Sequence, residues 1–319
     1  MSSSHDLKVS QAAACAAISV DVLLHPLDTL ITRMQSPVYK TQYKTLNGSF
    51  NQTFFRGLYQ GFGPTIITGI PSSAAFFTIY ERLKTVSQDA ESAGYLSGIP
   101  LPMLHGLSSA VADLVSCAII NPAEVLKQNA QMHGGDTLKP VNSWQSPTLL
   151  AVKHFATNPG RLWAGYTALA ASHLPATSLS FGLYELLRES FLGEAPRQRL
   201  EASAARQIAV STFSGALAGG FACTLFVPVD VVKTRMRLAA GNAVPSNHQH
   251  HQNQTTDQGA KLPSTIRSRS RLGPLDVANG IFRKEGILGL FRGGTLSFLA
   301  SALGCGLYLG SYEACILYL

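Results

Sequence analysis

The chain has 319 residues, 46% hydrophobic and only 13% charged, with a net charge of +7 and a mean hydropathy of +0.14. That is too greasy for an ordinary soluble domain yet short of a bundle of uninterrupted apolar spans, and it fits helices with one lipid face and one polar face. Without a helix-turn-helix, zinc-finger or aromatic RNA-binding motif the positive charge does not point to nucleic acid, and five scattered cysteines with no CxxC pair give no disulfide framework.

In chain order, "MSSSHDLKVSQAAACAA" has neither the Arg-rich pattern of a transit peptide nor the layout of a secretory signal. Targeting information is therefore expected inside the chain. An apolar stretch, "QAAACAAISVDVLL", then runs into "HPLDTLITRMQ" at 25–35. A glycine-marked segment, "LYQGFGP", and a second apolar helix, "PSSAAFFTIYERLK" (71–84), follow. The same order returns twice. "LSSAVADLVSCAII" leads into "NPAEVLKQNAQ" (121–131), then "GRLWAGY" and "PATSLSFGLYELLR" (175–188). "FSGALAGGFACTLF" leads into "VPVDVVKTRMR" (227–237), then "EGILGLFRGG" and "LGCGLYLGSYEACI" (303–316). Pro26, Pro122 and Pro228 mark the period.

This pattern predicts an all-α membrane protein of three repeats, 1–95, 96–196 and 197–319. Two spans per repeat make six transmembrane helices, with both termini on one side. Segments 36–62, 134–164 and 239–292 carry thirteen Lys or Arg, against three in 1–10, 85–102 and 189–204. The basic segments therefore face inward. Residues 240–272 read as a polar, disordered loop, and their "HQHH" as solvated histidines rather than a metal site. No Ser-His-Asp order, P-loop or HExxH motif argues for an enzyme.

At these residues the chain resembles the mitochondrial carrier family, over nearly its whole length. Pro122-x-Glu124-x-x-Lys127 and Pro228-x-Asp230-x-x-Lys233 match the family's proline–acid–base motif. Pro26-x-Asp28 matches too, but Ile31 stands at the base position. The resemblance implies three tilted helix pairs around a central cavity, short matrix-side helices, and hinge prolines at 26, 122 and 228. It also implies a matrix gate made of the pairs Asp28–Lys127 and Glu124–Lys233. Asp230 lacks a partner because of Ile31, and Gln35 and Gln131 brace the pairs, with Arg237 at the third bracing position. The outer gate is carried by Tyr80-Glu81-x-x-Lys84, Tyr184-Glu185-x-x-Arg188 and Tyr312-Glu313, the last ending in Ile316 instead of a base. The family further implies a mitochondrial inner-membrane location, with the termini in the intermembrane space. A small-molecule substrate, a lipid bilayer with cardiolipin at matrix-side helix ends, a monomer and no cofactor complete the expectation.

Helical phase extends this to the cargo. Asp21 precedes Asp28 by seven residues and Asp113 precedes Glu124 by eleven. At about 100° per residue either step returns to within roughly 20° of the same direction. Both acids are therefore expected to line the cavity rather than meet lipid. The family's contact positions on the even helices fall at Thr68, Ser172–His173 and Ser301, none of them Arg or Lys. Such a set favours a cationic or zwitterionic cargo over a phosphate or dicarboxylate. Within the family the resemblance points to the S-adenosylmethionine carriers, through "SVDVLLHPLDT", "PSSAAFFTIYE", "LGCGLYLGSYE" and the spacing of His105 to Asp113. Phe76 and Phe77 would pack the adenine. Ser172–His173 departs from that branch, where an Arg-Glu pair is expected. "NPAEVLKQNAQM" also resembles iron carriers, which keeps a divalent-metal cargo as the alternative. Ile31 and Ile316 keep open a non-transporting scaffold.

Overall fold

The computed structural model describes residues 20–45, 47–92, 101–133, 147–192, 203–242 and 273–318. The expected start of the first apolar helix and most of the expected polar loop lie outside these residues, as do the side chains of Phe77, His105 and Ile316. Among the described residues the one β feature is an isolated antiparallel bridge between Lys44 and Phe50.

Helix α1 (20–35) continues through Pro26 and stops ahead of Pro37, since a residue preceding proline is pushed out of the helical region. There Ser36 accepts the Val38 amide at 3.1 Å. A short α2 (Tyr39–Gln42), a turn at Gly48 (φ 77°) and a 3-10 turn (Gln52–Phe55) lead to α3 (Phe62–Ser92). Then come α4 (Leu101–His133), α5 (Pro147–Ala156), a 3-10 turn (Pro159–Trp163) and α6 (Tyr166–Leu192). The last three are α7 (Ala204–Asn242), α8 (Pro274–Leu290), broken at Gly286, and α9 (Gly294–Tyr318). Pro71, Pro122, Pro175 and Pro228 lie inside helices. Each removes one helical donor and crowds the carbonyl four residues back, the usual cause of a helix bend.

Four stretches, Phe62–Ser87, Leu107–Met132, Ala204–Gly241 and Gly294–Ala314, are long and apolar enough to cross a membrane. The protein itself buries only 7 to 44% of them, so their remaining apolar surface calls for lipid. α6 is comparably long, with 27 residues, and carries His173, Glu185, Arg188 and Glu189. Polar groups meanwhile occupy the interior: Arg33, Asn121 and Gln131 are fully buried, while Ile67 is 74% exposed. So many buried polar groups, beside exposed large apolar ones, are unusual for a soluble core.

The chain forms two compact units. One comprises Gln60–Ala170 and Val232–Gly286. Within it α3 and α4 run antiparallel, because partners step from Ser72–Ser116 to Gly61–Lys127 as one index falls and the other rises. The Ser72 hydroxyl lies 2.6 Å from that of Ser116 and also donates to its carbonyl. Tyr166 donates to the Leu114 carbonyl at 3.0 Å, which holds the start of α6 against α4.

The other unit comprises Met1–Tyr59, Ala171–Val231 and Ile287–Leu319. Here α7 and α9 meet along small residues: Gly215 and Gly219 face Cys305, and Gly306 faces Thr212 and Ala216. Side chains larger than hydrogen would force these backbones apart.

Candidate functional site

The three proline motifs are anchored by the residue just before each proline, and all three of those residues are buried: His25, Asn121 and Val227. Each touches the segment that enters the even helix of its own repeat. The His25 ring stacks on Tyr59 with centroids 6.0 Å apart. Asn121 donates through Nδ2 to the Leu162 carbonyl at 2.9 Å. The Val227 methyls lie 3.7 Å from where a Cβ on Gly294 would stand. Thr29 adds a second tie in the first repeat, donating to the Leu58 carbonyl at 2.6 Å.

Seven residues after each proline stand Arg33, Asn129 and Arg235, and each makes a different bond. Arg33 donates to the Thr53 and Phe54 carbonyls at 3.2 and 2.7 Å and lies over the Tyr43 ring. Asn129 donates to the Arg237 carbonyl at 3.1 Å. Arg235 makes a two-pronged ion pair with Glu285, at 2.6 and 2.8 Å. The planar guanidinium suits that two-point grip.

Of the expected inner-gate residues, Glu124 meets two cations. Arg237 reaches its carboxylate at 3.4 Å and Lys127 at 3.9 Å. Arg237 also donates to the Asn121 side-chain oxygen at 2.8 Å, and both residues are buried. Arg237 therefore binds the acid directly as well as occupying a bracing position. Gln35 and Gln131 are buried as well. Asp28, Asp230 and Lys233 are half-buried, and all three are engaged in polar or electrostatic interactions. The expectation that Asp230 lacks a partner is thus corrected: an empty base position at Ile31 does not leave that carboxylate alone. Asn121 was not singled out in the sequence. The signal for it is its place before the second proline, with Arg237 nine residues after the third.

Of the outer-gate residues, Arg188 and Glu313 form an ion pair at 2.8 Å. The second repeat thus supplies a base to the acid whose own motif ends in Ile316. Arg188 also lies over Tyr184, whose hydroxyl donates to Ser211. Lys84 sits over the Tyr80 ring at 5.9 Å, and Glu81 and Glu185 are exposed.

The expected cargo contacts are placed unevenly. Asp21 is exposed; Asp113 and His173 are half-buried, and Ser172 is buried. All four are engaged in interactions of their own. The Thr68 hydroxyl donates back to the Pro64 carbonyl at 3.0 Å. The Ser301 hydroxyl donates to the Gly219 carbonyl at 2.9 Å, so its proton serves the α7–α9 seam. Phe76 stacks on Tyr80 with ring planes 5° apart.

Comparison with known proteins fits this architecture. The family described as "Mitochondrial carrier protein" matches residues 4–91, 101–195 and 205–319. The mitochondrial S-adenosylmethionine carrier protein of Xenopus tropicalis is 32% identical over 303 residues, covering 95% of this chain and 92% of the relative. Its namesake in Mus musculus is 29% identical over 306 residues, covering 95% and 91%. An uncharacterized mitochondrial carrier of Schizosaccharomyces pombe is 29% identical, covering 95% of this chain and 72% of its own. A family match through every repeat, with identity sustained along nearly the whole chain, shows that this protein belongs to the mitochondrial carrier family and is a multi-pass transporter of the mitochondrial inner membrane, not an enzyme.

Proposed function

We propose that this transporter moves a cationic or zwitterionic small molecule by alternating access, with S-adenosylmethionine as the foremost cargo. One observation carries the reading. Asp21 and Asp113 lie in α1 and α4, seven and eleven residues before Asp28 and Glu124, while positions 68, 172, 173 and 301 hold no Lys or Arg. Ionisable groups within membrane-spanning helices are expensive unless they serve a solute path. A sulfonium or ammonium meets a carboxylate favourably, whereas a phosphate would be repelled. The names of the relatives from Xenopus tropicalis and Mus musculus support the same cargo.

In this reading Asp28, Glu124, Lys127, Asp230 and Lys233, braced by Gln35, Gln131 and Arg237, form the matrix gate. Glu81, Lys84, Glu185, Arg188 and Glu313 form the outer one. Ion pairs at two levels, each broken when its side opens, make a two-state device of modest energy. The basic-segment bias supports termini in the intermembrane space. The protein works as a monomer, with cardiolipin at the matrix-side helix ends.

Purified protein in liposomes is to be tested for uptake of labelled S-adenosylmethionine, ferrous iron and amino acids. The proposal expects uptake of the first. Uptake of iron alone would select the divalent-metal alternative, and no uptake of any would select a scaffold. Asp21→Asn is expected to reduce cation uptake by about tenfold, the equivalent of one lost charge contact, with little change in melting temperature. A parallel fall in both would make Asp21 a structural residue.

A further inference from the structure

We infer that Gly61 and Gly165 are positioning residues that seat the backbones of Lys127 and Lys233, and that the first repeat has neither the lysine nor its close seat. The inference rests on the gate reading above. Three glycines hold equivalent places just ahead of the even helices: Gly61, Gly165 and Gly293, with φ of 82°, 77° and 81°. Their backbone conformation is the same, and only glycine adopts it without strain. What each faces is not the same.

A methyl group on Gly61 would stand 2.6 Å from the Lys127 carbonyl oxygen and 3.0 Å from its Cα. Those are backbone atoms of a helix, with no flexible end to yield. On Gly165 it would stand 3.2 Å from the Lys233 carbonyl oxygen and 3.3 Å from the Arg237 Cγ. On Gly293 it would meet only Met34 and Gln35 side-chain carbons, at 3.5 and 3.6 Å, which is ordinary contact. Lys127 and Lys233 are each five residues after their proline. The equivalent of both is Ile31, which has no atom within 4 Å of that point.

Each glycine of the first two repeats thus sets how closely the next repeat's odd helix approaches, at the residue whose side chain carries the latch charge. A lysine has a long flexible stem, so its ammonium position is defined only as well as its backbone is. Where the charge is absent, the close seat is absent too.

The test uses the full-length protein in liposomes, with labelled S-adenosylmethionine as probe. Gly61→Ala and Gly165→Ala should each lower the maximal uptake rate by about tenfold with KM unchanged. Gly293→Ala should stay within about twofold, because it shares only the backbone strain. Gly48→Ala is the strain control: its φ is 77° and nothing lies within 4 Å. Should Gly61→Ala fail to fold, Gly165→Ala, with its looser contact, carries the test. In a Lys233→Gln background Gly165→Ala should add no further loss. A full additional loss there would make Gly165 merely structural and overturn its positioning role alone. If Lys233→Gln by itself transports like the unaltered protein, the gate reading falls and this inference with it.

Discussion

The proline ends of α1 and α4 are built from one motif, yet their buried polar groups take different partners. In α1 three buried polar residues bind within their own repeat: His25 to Tyr59, Thr29 to the Leu58 carbonyl, Arg33 to the Thr53 and Phe54 carbonyls. In α4 they also turn to the next repeat. Asn121 and Glu124 both bind Arg237, Asn129 binds the Arg237 carbonyl, and His154 of α5 bonds the Gly241 carbonyl. These bonds tie α1 to its own connecting segment, and they tie α4 to the third repeat as well. A repeated motif preserves the place of a polar group in a helix; the partner is chosen by whichever segment the tertiary packing brings there.

The sharpest way to break this contrast is Arg237→Met, which takes from Glu124 the nearer of its two cations and from the buried Asn121 oxygen its donor. Removing one member of a largely buried pair costs about 3–5 kcal/mol, so a large fall in melting temperature in lipid is expected. Adding Glu124→Gln should restore part of the loss, and no restoration would show that the strap does not run through that acid.

Arg33→Met is the matching change in the first repeat. It removes charge-assisted bonds to carbonyls that have no charge of their own to strand, and should cost about 1.5–3 kcal/mol. Proteolysis within 39–56 should accelerate while the α4 end stays protected. Protection lost at both ends would erase the distinction between a local anchor and a strap between repeats.

Ser72→Ala sharpens the comparison from the α3–α4 contact. Both hydrogen bonds of Ser72 to Ser116 are lost, each worth about 0.6 kcal/mol between membrane helices, and thermal unfolding should shift by only a few degrees. An effect as large as that of Arg237→Met would mean the Ser72–Ser116 bond, not the arginine strap, carries the unit.

Periodicity in the sequence reveals a great deal because it is counted along one chain. Proline, acid and base recur at 26–31, 122–127 and 228–233 with a single departure at Ile31, so the helices, their order and the membrane setting can be read before any contact is known. Phase arithmetic is weaker. Counting along α9 expects Ser301 at the cargo, and no such count announces that its hydroxyl also donates to the Gly219 carbonyl, because a partly buried hydroxyl takes the nearest acceptor. Asn121 and Arg237 lie 116 residues apart, and no local pattern announces their bond.

By itself the sequence determined which residues could be charged, where helices would bend and how many times the unit would recur, since these follow from side-chain chemistry and spacing within one strand. Only the tertiary structure decided that Arg237 grips Glu124, that Glu313 pairs with Arg188, and that Gly61 and Gly165 lie against lysine backbones while Gly293 does not. Ion pairs and close approaches depend on distances of a few ångströms between segments about a hundred residues apart, and packing sets those distances.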